Sequence, residues 1–76
     1  MYFLNLFAER LCLLRGEKHL SQEAIGEQIG VSRYAVYTYE KGKAYPTAES
    51  LMGLADFFDV SVDYLLGRTD NREVNR

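Results

Sequence analysis

The side chains best equipped for chemistry gather in one short stretch of this chain of 76 residues. Between Ser32 and Lys43 stand Arg33, Tyr34, Tyr37, Thr38, Lys41 and Lys43. They offer cations, phenols and hydroxyls, with no nucleophile visibly paired to a base, so they suit binding rather than covalent catalysis. Elsewhere, Cys12 and His19 are the only thiol and imidazole. Cys12 falls in a helical apolar pattern and His19 in a polar turn, which points to a packed or surface thiol instead of a catalytic pair. One cysteine forms no internal disulfide, and with one histidine it makes no ligand set for a structural zinc. No glycine-rich phosphate loop follows a strand. An enzyme, a cofactor, a metal and a small-molecule ligand are therefore not expected.

Positioning those groups requires a core, and hydrophobic residues make up 47% of the chain, enough for one small all-α domain. Leu4, Phe7, Leu11 and Leu14 recur at three- and four-residue steps, which predicts a first helix from about Asn5 to Arg15, ended by Gly16. Ser21 caps a second helix, Gln22 to Ile29, with Ala24, Ile25 and Ile29 inward and Gly30 as its left-handed stop. Ser32 then caps a third, Arg33 to Lys41, ended by Gly42. Val36 and Tyr39 face its core, and Arg33, Tyr34, Tyr37, Thr38 and Lys41 project elsewhere.

Tyr45, Pro46 and Thr47 lead in extended form to a fourth helix, Ala48 to about Phe58, with Leu51, Leu54, Ala55 and Phe58 inward. Ser61 caps a short fifth helix whose Val62, Leu65 and Leu66 close the core with Val60, before Gly67 ends the fold. The domain is thus expected over residues 1–67. Residues 68–76 form a polar tail expected to be mobile, because they bury too little apolar surface to offset the entropy of ordering.

No apolar run reaches the roughly 18 residues that cross a bilayer, and the opening MYFLNLF lacks the basic and small-residue pattern of an export signal. A cytoplasmic location is expected, with no membrane partner. The net charge is −2, the opposite of a typical nucleic-acid binder. Its distribution is uneven, however. Residues 31–46 carry Arg33, Lys41 and Lys43 against Glu40 alone, whereas residues 47–66 carry Glu49, Asp56, Asp59 and Asp63 and no cation. Such segregation fits one face turned to DNA.

Two short helices joined steeply through a turn containing glycine form the unit that lays its second helix in the major groove of DNA. The same geometry is also an ordinary corner of a small helical bundle, and spacing alone leaves both open. The wording is more specific. LSQ opens helix two, GVSR forms the turn, YEKGK ends helix three and FFDVSVDYLL closes the fold. Together with RLCLLR, these resemble the lambda repressor/Cro-like (XRE) family of bacterial and phage helix-turn-helix regulators over roughly residues 4–67. The resemblance implies a compact five-helix domain that regulates transcription and docks as a homodimer on a palindromic double-stranded DNA operator, with repression the expected outcome.

By that resemblance, base contacts fall on Arg33, Tyr34, Tyr37 and Thr38. Arg33 suits the O6 and N7 of guanine, worth ~1–3 kcal/mol of discrimination, and Thr38 suits a thymine methyl or several base edges. Tyr34 and Tyr37 suit sugar or phosphate as well as bases. Phosphate contacts fall on Gln22 and Ser32 at helix starts and on Lys41 and Lys43 after helix three. Arg15 and Glu40 match two family positions that pair across helices one and three, a structural ion pair.

The chain departs from the family pattern in three places. Gly26 stands where alanine is favoured, Tyr37 where a small polar residue is common, and Cys12 and Leu13 where polar residues are usual. With Tyr2 and Leu6, the last two are expected to form an extra apolar surface for self-association or a partner, unless they cover the domain's own side. The alternative function is accordingly a protein-interaction or antitoxin-like module on the same fold.

Overall fold

The computed structural model describes residues 2–74, with side chains from Leu6 onward. The side chains of Tyr2 and Leu4, and residues 75–76 of the tail, lie outside the described residues. Five helices follow one another: α1 (Tyr2–Glu17), α2 (Gln22–Ile29), α3 (Arg33–Glu40), α4 (Ala48–Phe58) and α5 (Val62–Leu66).

Four of them begin on a hydroxyl that accepts an otherwise unpaired amide. Ser21 accepts from Ala24 N–H at 3.0 Å, Ser32 from Ala35 N–H at 3.1 Å, Thr47 from Ser50 N–H at 3.1 Å and Ser61 from Tyr64 N–H at 2.9 Å. The hydroxyl residue before each apolar pattern therefore sets where each helix starts.

The first helix is longer than expected at both ends, and Gly16 does not stop it. Gly16 lies inside α1 with ordinary helical backbone, and the reversal comes at His19, whose φ is 55°. There Leu20 N–H donates to Arg15 O and His19 N–H to Gly16 O, closing the helix in a Schellman arrangement. A non-glycine residue in this conformation crowds its own Cβ. His19→Gly is expected to raise stability by about 0.5 kcal/mol, a rise of roughly 2–4 °C in Tm on thermal melting. The end of α3 is one residue earlier than expected: Lys41 is its cap, and Gly42 turns the chain at φ 71°.

The core joins Phe7, Leu11 and Leu14 of α1, Ile25 of α2, Val36 and Tyr39 of α3, Leu54, Ala55 and Phe58 of α4, and Tyr64 and Leu65 of α5, with Val60 between the last two helices. Leu66 is only half-buried, and Tyr64 takes the inward place expected for it. Phe7 meets Tyr39 edge-on at 6.1 Å. Because α1 packs against both α3 and α5, it is the beam on which the other helices are hung.

Residues 68–72, read from composition as the start of a loose tail, follow a definite course. The Arg10 guanidinium donates to Tyr64 O at 2.5 Å, Thr69 O at 2.6 Å and the Asp70 carboxylate at 2.7 Å, while lying 4.4 Å from the Tyr64 ring centre. Arg72 forms a two-pronged pair with Glu17 at 2.9 and 2.7 Å, and its carbonyl accepts from Ser61 N–H at 2.9 Å. The segment thus straps α5 to α1 by polar contacts. Leu6 packs against Gly67 and belongs to the domain's own packing, so the extra apolar surface is carried by Leu13, 49% exposed, beside the exposed Cys12.

Candidate nucleic-acid interface

The turn between α2 and α3 is tight because Gly26 has no side chain. A Cβ built there would stand 2.5 Å from Val31 O and 3.3 Å from the carbonyl group of Ser32. The backbone of the turn therefore lies directly on α2. This is the physical reason for glycine where the family pattern favours alanine.

With the turn fixed, α3 divides into two faces. Val36 and Tyr39 are buried, and Arg33, Tyr34 and Tyr37 are exposed, Tyr34 to 71%. Thr38 is half-buried and its hydroxyl donates to Ala35 O at 2.7 Å, which leaves its methyl and its lone pairs for any ligand. Tyr34 and Tyr37 stack on each other, ring centres 6.0 Å apart and 29° from parallel, and the Lys41 ammonium lies 5.7 Å from the Tyr37 ring. The outer side of α3 is thus a row of one guanidinium, two phenols and one ammonium. Lys43 is exposed just past it.

Behind this face sits Glu40, whose side chain is 6% exposed. Its carboxylate accepts from Arg15 Nε at 2.6 Å and Nη2 at 3.0 Å, and from Gln22 Nε2 at 3.0 Å. Arg15 also donates to Leu20 O at 2.8 Å. Burial pushes the Glu40 carboxyl upward, but the hydrogen bonds from Arg15 and Gln22 and the Arg15 charge outweigh it and hold the group below the usual carboxylate range. Partial desolvation and the nearby Glu40 carboxylate push the Cys12 thiol up from its ordinary value.

Gln22, expected at phosphate, is therefore tied to Glu40 through one amide proton, leaving its second amide proton and its carbonyl. Ser32 uses a lone pair to cap α3 and keeps its hydroxyl proton. The structure brings Ser32, Arg33, Tyr34, Tyr37, Thr38 and Lys41 together along α3, with Lys43 in the loop that follows. Sequence reasoning passed over Arg10 and Arg72, whose partners lie far along the chain. Among the described residues, no group of three or more His, Cys, Asp or Glu is placed to hold a metal, and no helix is long and apolar enough to cross a membrane.

A family model described as helix-turn-helix matches residues 13–65. The transcriptional activator BcrR of Enterococcus faecalis is 48% identical over 60 residues, covering 79% of this chain and 29% of the relative. The phage repressor RstR of Vibrio cholerae is 37% identical over 60 residues, 79% of this chain and 54% of the relative. Repressor protein C2 of Salmonella phage P22 is 34% identical over 62 residues, 82% of this chain and 29% of the relative. The chain spans between 29% and 60% of the length of the curated relatives it matches. Among solved structures, the P22 c2 repressor in complex with synthetic operator 9T, in the presence of Tl+, matches with a TM-score of 0.76 at 33% identity, covering 79% of this chain and 91% of that one.

Proposed function

Because this chain belongs to the lambda repressor-like (XRE) family of helix-turn-helix transcriptional regulators, we propose that it regulates transcription by placing α3 in the major groove of a palindromic operator. One observation carries the reading: α3 is braced from behind through Glu40 and presents an outward face on which Arg33, Tyr34 and Tyr37 are exposed. On that face Arg33 reads guanine, Thr38 offers its methyl to thymine, and Tyr34 and Tyr37 meet base edges and sugar. Ser32, Gln22, Lys41 and Lys43 hold phosphates.

Two copies bind together, since one domain of this size touches too few bases for useful specificity and a two-fold pair matches half-sites about one helical turn apart. Occupying DNA is itself enough to block other proteins, so repression is the outcome proposed. The acidic residues of the segment 47–66 discourage indiscriminate DNA binding.

Selection of bound duplexes from a random pool tests the reading. The wild-type chain is expected to enrich a palindrome, Arg33→Ala to lose ~1–3 kcal/mol and relax one position of it, and Thr38→Ala to relax another. Lys41→Ala is expected to weaken all sequences alike and to lower the slope of log affinity against log salt by about 0.9. Failure of the folded protein to enrich any duplex overturns the proposal. The exposed Leu13 is the observation that favours the protein-interaction alternative; an apolar interface of that kind would respond little to salt.

A further inference from the structure

The outer face of α4 carries the opposite charge to that of α3. Glu49, Met52 and Asp56 fall at three- and four-residue steps and are all exposed, Met52 to 52%. Beside this stripe, where α4 gives way to α5, lies an open groove of about 380 Å³. Buried Ala55 and Val60 and the more exposed Met52, Val62 and Val74 give it apolar walls, and Asp56 and Asp63 give it charge. The carboxylates of Glu49, Asp56 and Asp63 make no ion pair among the described residues. Lys18 and Arg72, which approach α4 and α5, are held by the Phe57 ring and by Glu17.

The same molecule carries a surface that fits this groove. On α3, Tyr34 is 71% exposed and stacks on Tyr37, with Arg33 before the pair and Lys41 after it. Exposed rings flanked by cations complement apolar walls flanked by carboxylates in both charge and polarity. A ring that enters the groove meets Met52, and contact between a thioether and an aromatic ring is favourable. No residue of α3 lines the groove, so the two surfaces of one molecule are distinct. Groove against groove is disfavoured, because it sets Asp56 and Asp63 against like charges.

We propose that, without DNA, α3 of one copy docks head to tail in the α4–α5 groove of a second copy. Arg33 and Lys41 pair with the carboxylates of Glu49, Asp56 and Asp63, and Tyr34 is seated beside Met52. Because the two docking surfaces differ, the contact is heterologous and a bound copy offers its own groove to the next. The association occupies the face assigned above to DNA, so DNA and a second copy exclude each other; that exclusion rests on the DNA-binding reading. The free protein thereby masks its own reading helix.

Sedimentation velocity on the full chain tests the association. The mean mass of wild type is expected to grow with concentration at about 50 mM salt and to lose most of that growth at about 500 mM, since exposed charge pairs are screened. Asp56→Lys with Asp63→Lys spoils the groove and leaves α3 intact. Arg33→Ala with Tyr34→Ala and Lys41→Ala strips α3 and leaves the groove intact. All five positions lie at the surface, and unchanged Tm confirms the fold of each variant. Neither variant alone is expected to associate head to tail. Mixed in equal amounts they restore a single good contact, and a pair that cannot extend is expected, at least about tenfold tighter than self-association of either variant.

A duplex enriched from a random pool by the wild-type chain is expected to dissolve the wild-type assembly. The groove variant is expected to bind that duplex at least as tightly as wild type does. Wild type that shows no growth in mass at low salt, a groove variant that associates as wild type does, or a mixture that stays apart overturns the proposal. An assembly that persists in saturating duplex overturns the exclusion. If the wild-type chain binds no duplex, the DNA-binding reading falls, while the mixture of variants, which contains no DNA, still decides the association.

Discussion

Replacing Glu40 by alanine is expected to cost about 3 kcal/mol, far more than a surface substitution. The carboxylate is nearly buried and accepts three hydrogen bonds, two from Arg15 and one from Gln22. Its removal leaves the Arg15 guanidinium without a counter-charge. Breaking a buried pair in this way costs roughly 3–5 kcal/mol. The lower end applies because Arg15 is itself 26% exposed and keeps Leu20 O as an acceptor.

Glu40→Gln retains the size and an acceptor and loses only the charge, so it is expected to fall between wild type and alanine. The two variants also differ from wild type in acid. The folded-state pKa of Glu40 lies below its ordinary 4.5, so its contribution is complete above that value and is lost as pH falls through the lowered one. Urea midpoints measured from pH 7 down to pH 3 are expected to drop less steeply in Glu40→Gln than in wild type. Glu17, held below the usual range by the Arg72 hydrogen bond, retains part of that slope. A Glu40→Ala protein as stable as wild type would show that the three helices are not joined at this point.

Gly26→Val is the second large effect. A Cβ at this site runs into Val31 O at 2.5 Å and the Ser32 carbonyl at 3.3 Å, and both belong to backbone that cannot rotate aside. The single Cβ of alanine already makes this contact, and because backbone and not a flexible side chain must give way, the clash outweighs the gain of about 1 kcal/mol in helix propensity. Gly26→Ala is therefore expected to cost about 1–2 kcal/mol. Valine adds two methyls at the same branch point with little propensity gain, and a loss of about 3 kcal/mol or more is expected.

Since the turn carries α3, the surviving folded fraction of Gly26→Val should also bind DNA poorly. Thermal melting of the two variants side by side checks the first statement, and anisotropy at a temperature where both are folded checks the second. Equal stability of alanine and valine would mean that the turn does not rest on α2.

Which features were readable from sequence follows from how local their causes are. The starts of α2, α3, α4 and α5 are set by Ser21, Ser32, Thr47 and Ser61, each bonded to an amide three residues on, so a short window of sequence contains the whole cause. The division of α3 into an inward Val36 and Tyr39 and an outward Arg33 and Tyr34 follows from helical spacing alone.

The end of α1 is a different case. Gly16 attracts a stop because glycine favours left-handed backbone, but the chain reverses at His19, where the approach of Leu20 to Arg15 dictates it. The strap is further still from local reading. Arg10 and Asp70 are 60 positions apart and Arg72 and Glu17 are 55 apart, and composition measures apolar burial while these contacts are polar. Tyr64 took the place expected for Leu66 because its ring is flanked by the Arg10 and Arg72 guanidiniums, partners that helical spacing does not register.

The strap also bears on the order in which the domain assembles. Helix caps and the corner between α2 and α3 close short loops, whereas joining Arg10 to Tyr64, Thr69 and Asp70 closes nearly the whole chain and carries the largest loop-closure entropy. Contacts of that kind are expected to form after the rate-limiting step of folding. Interactions absent from that transition state slow unfolding without speeding folding. The polar strap thus acts as a brake on opening, setting how long a folded molecule persists more than how quickly it is made.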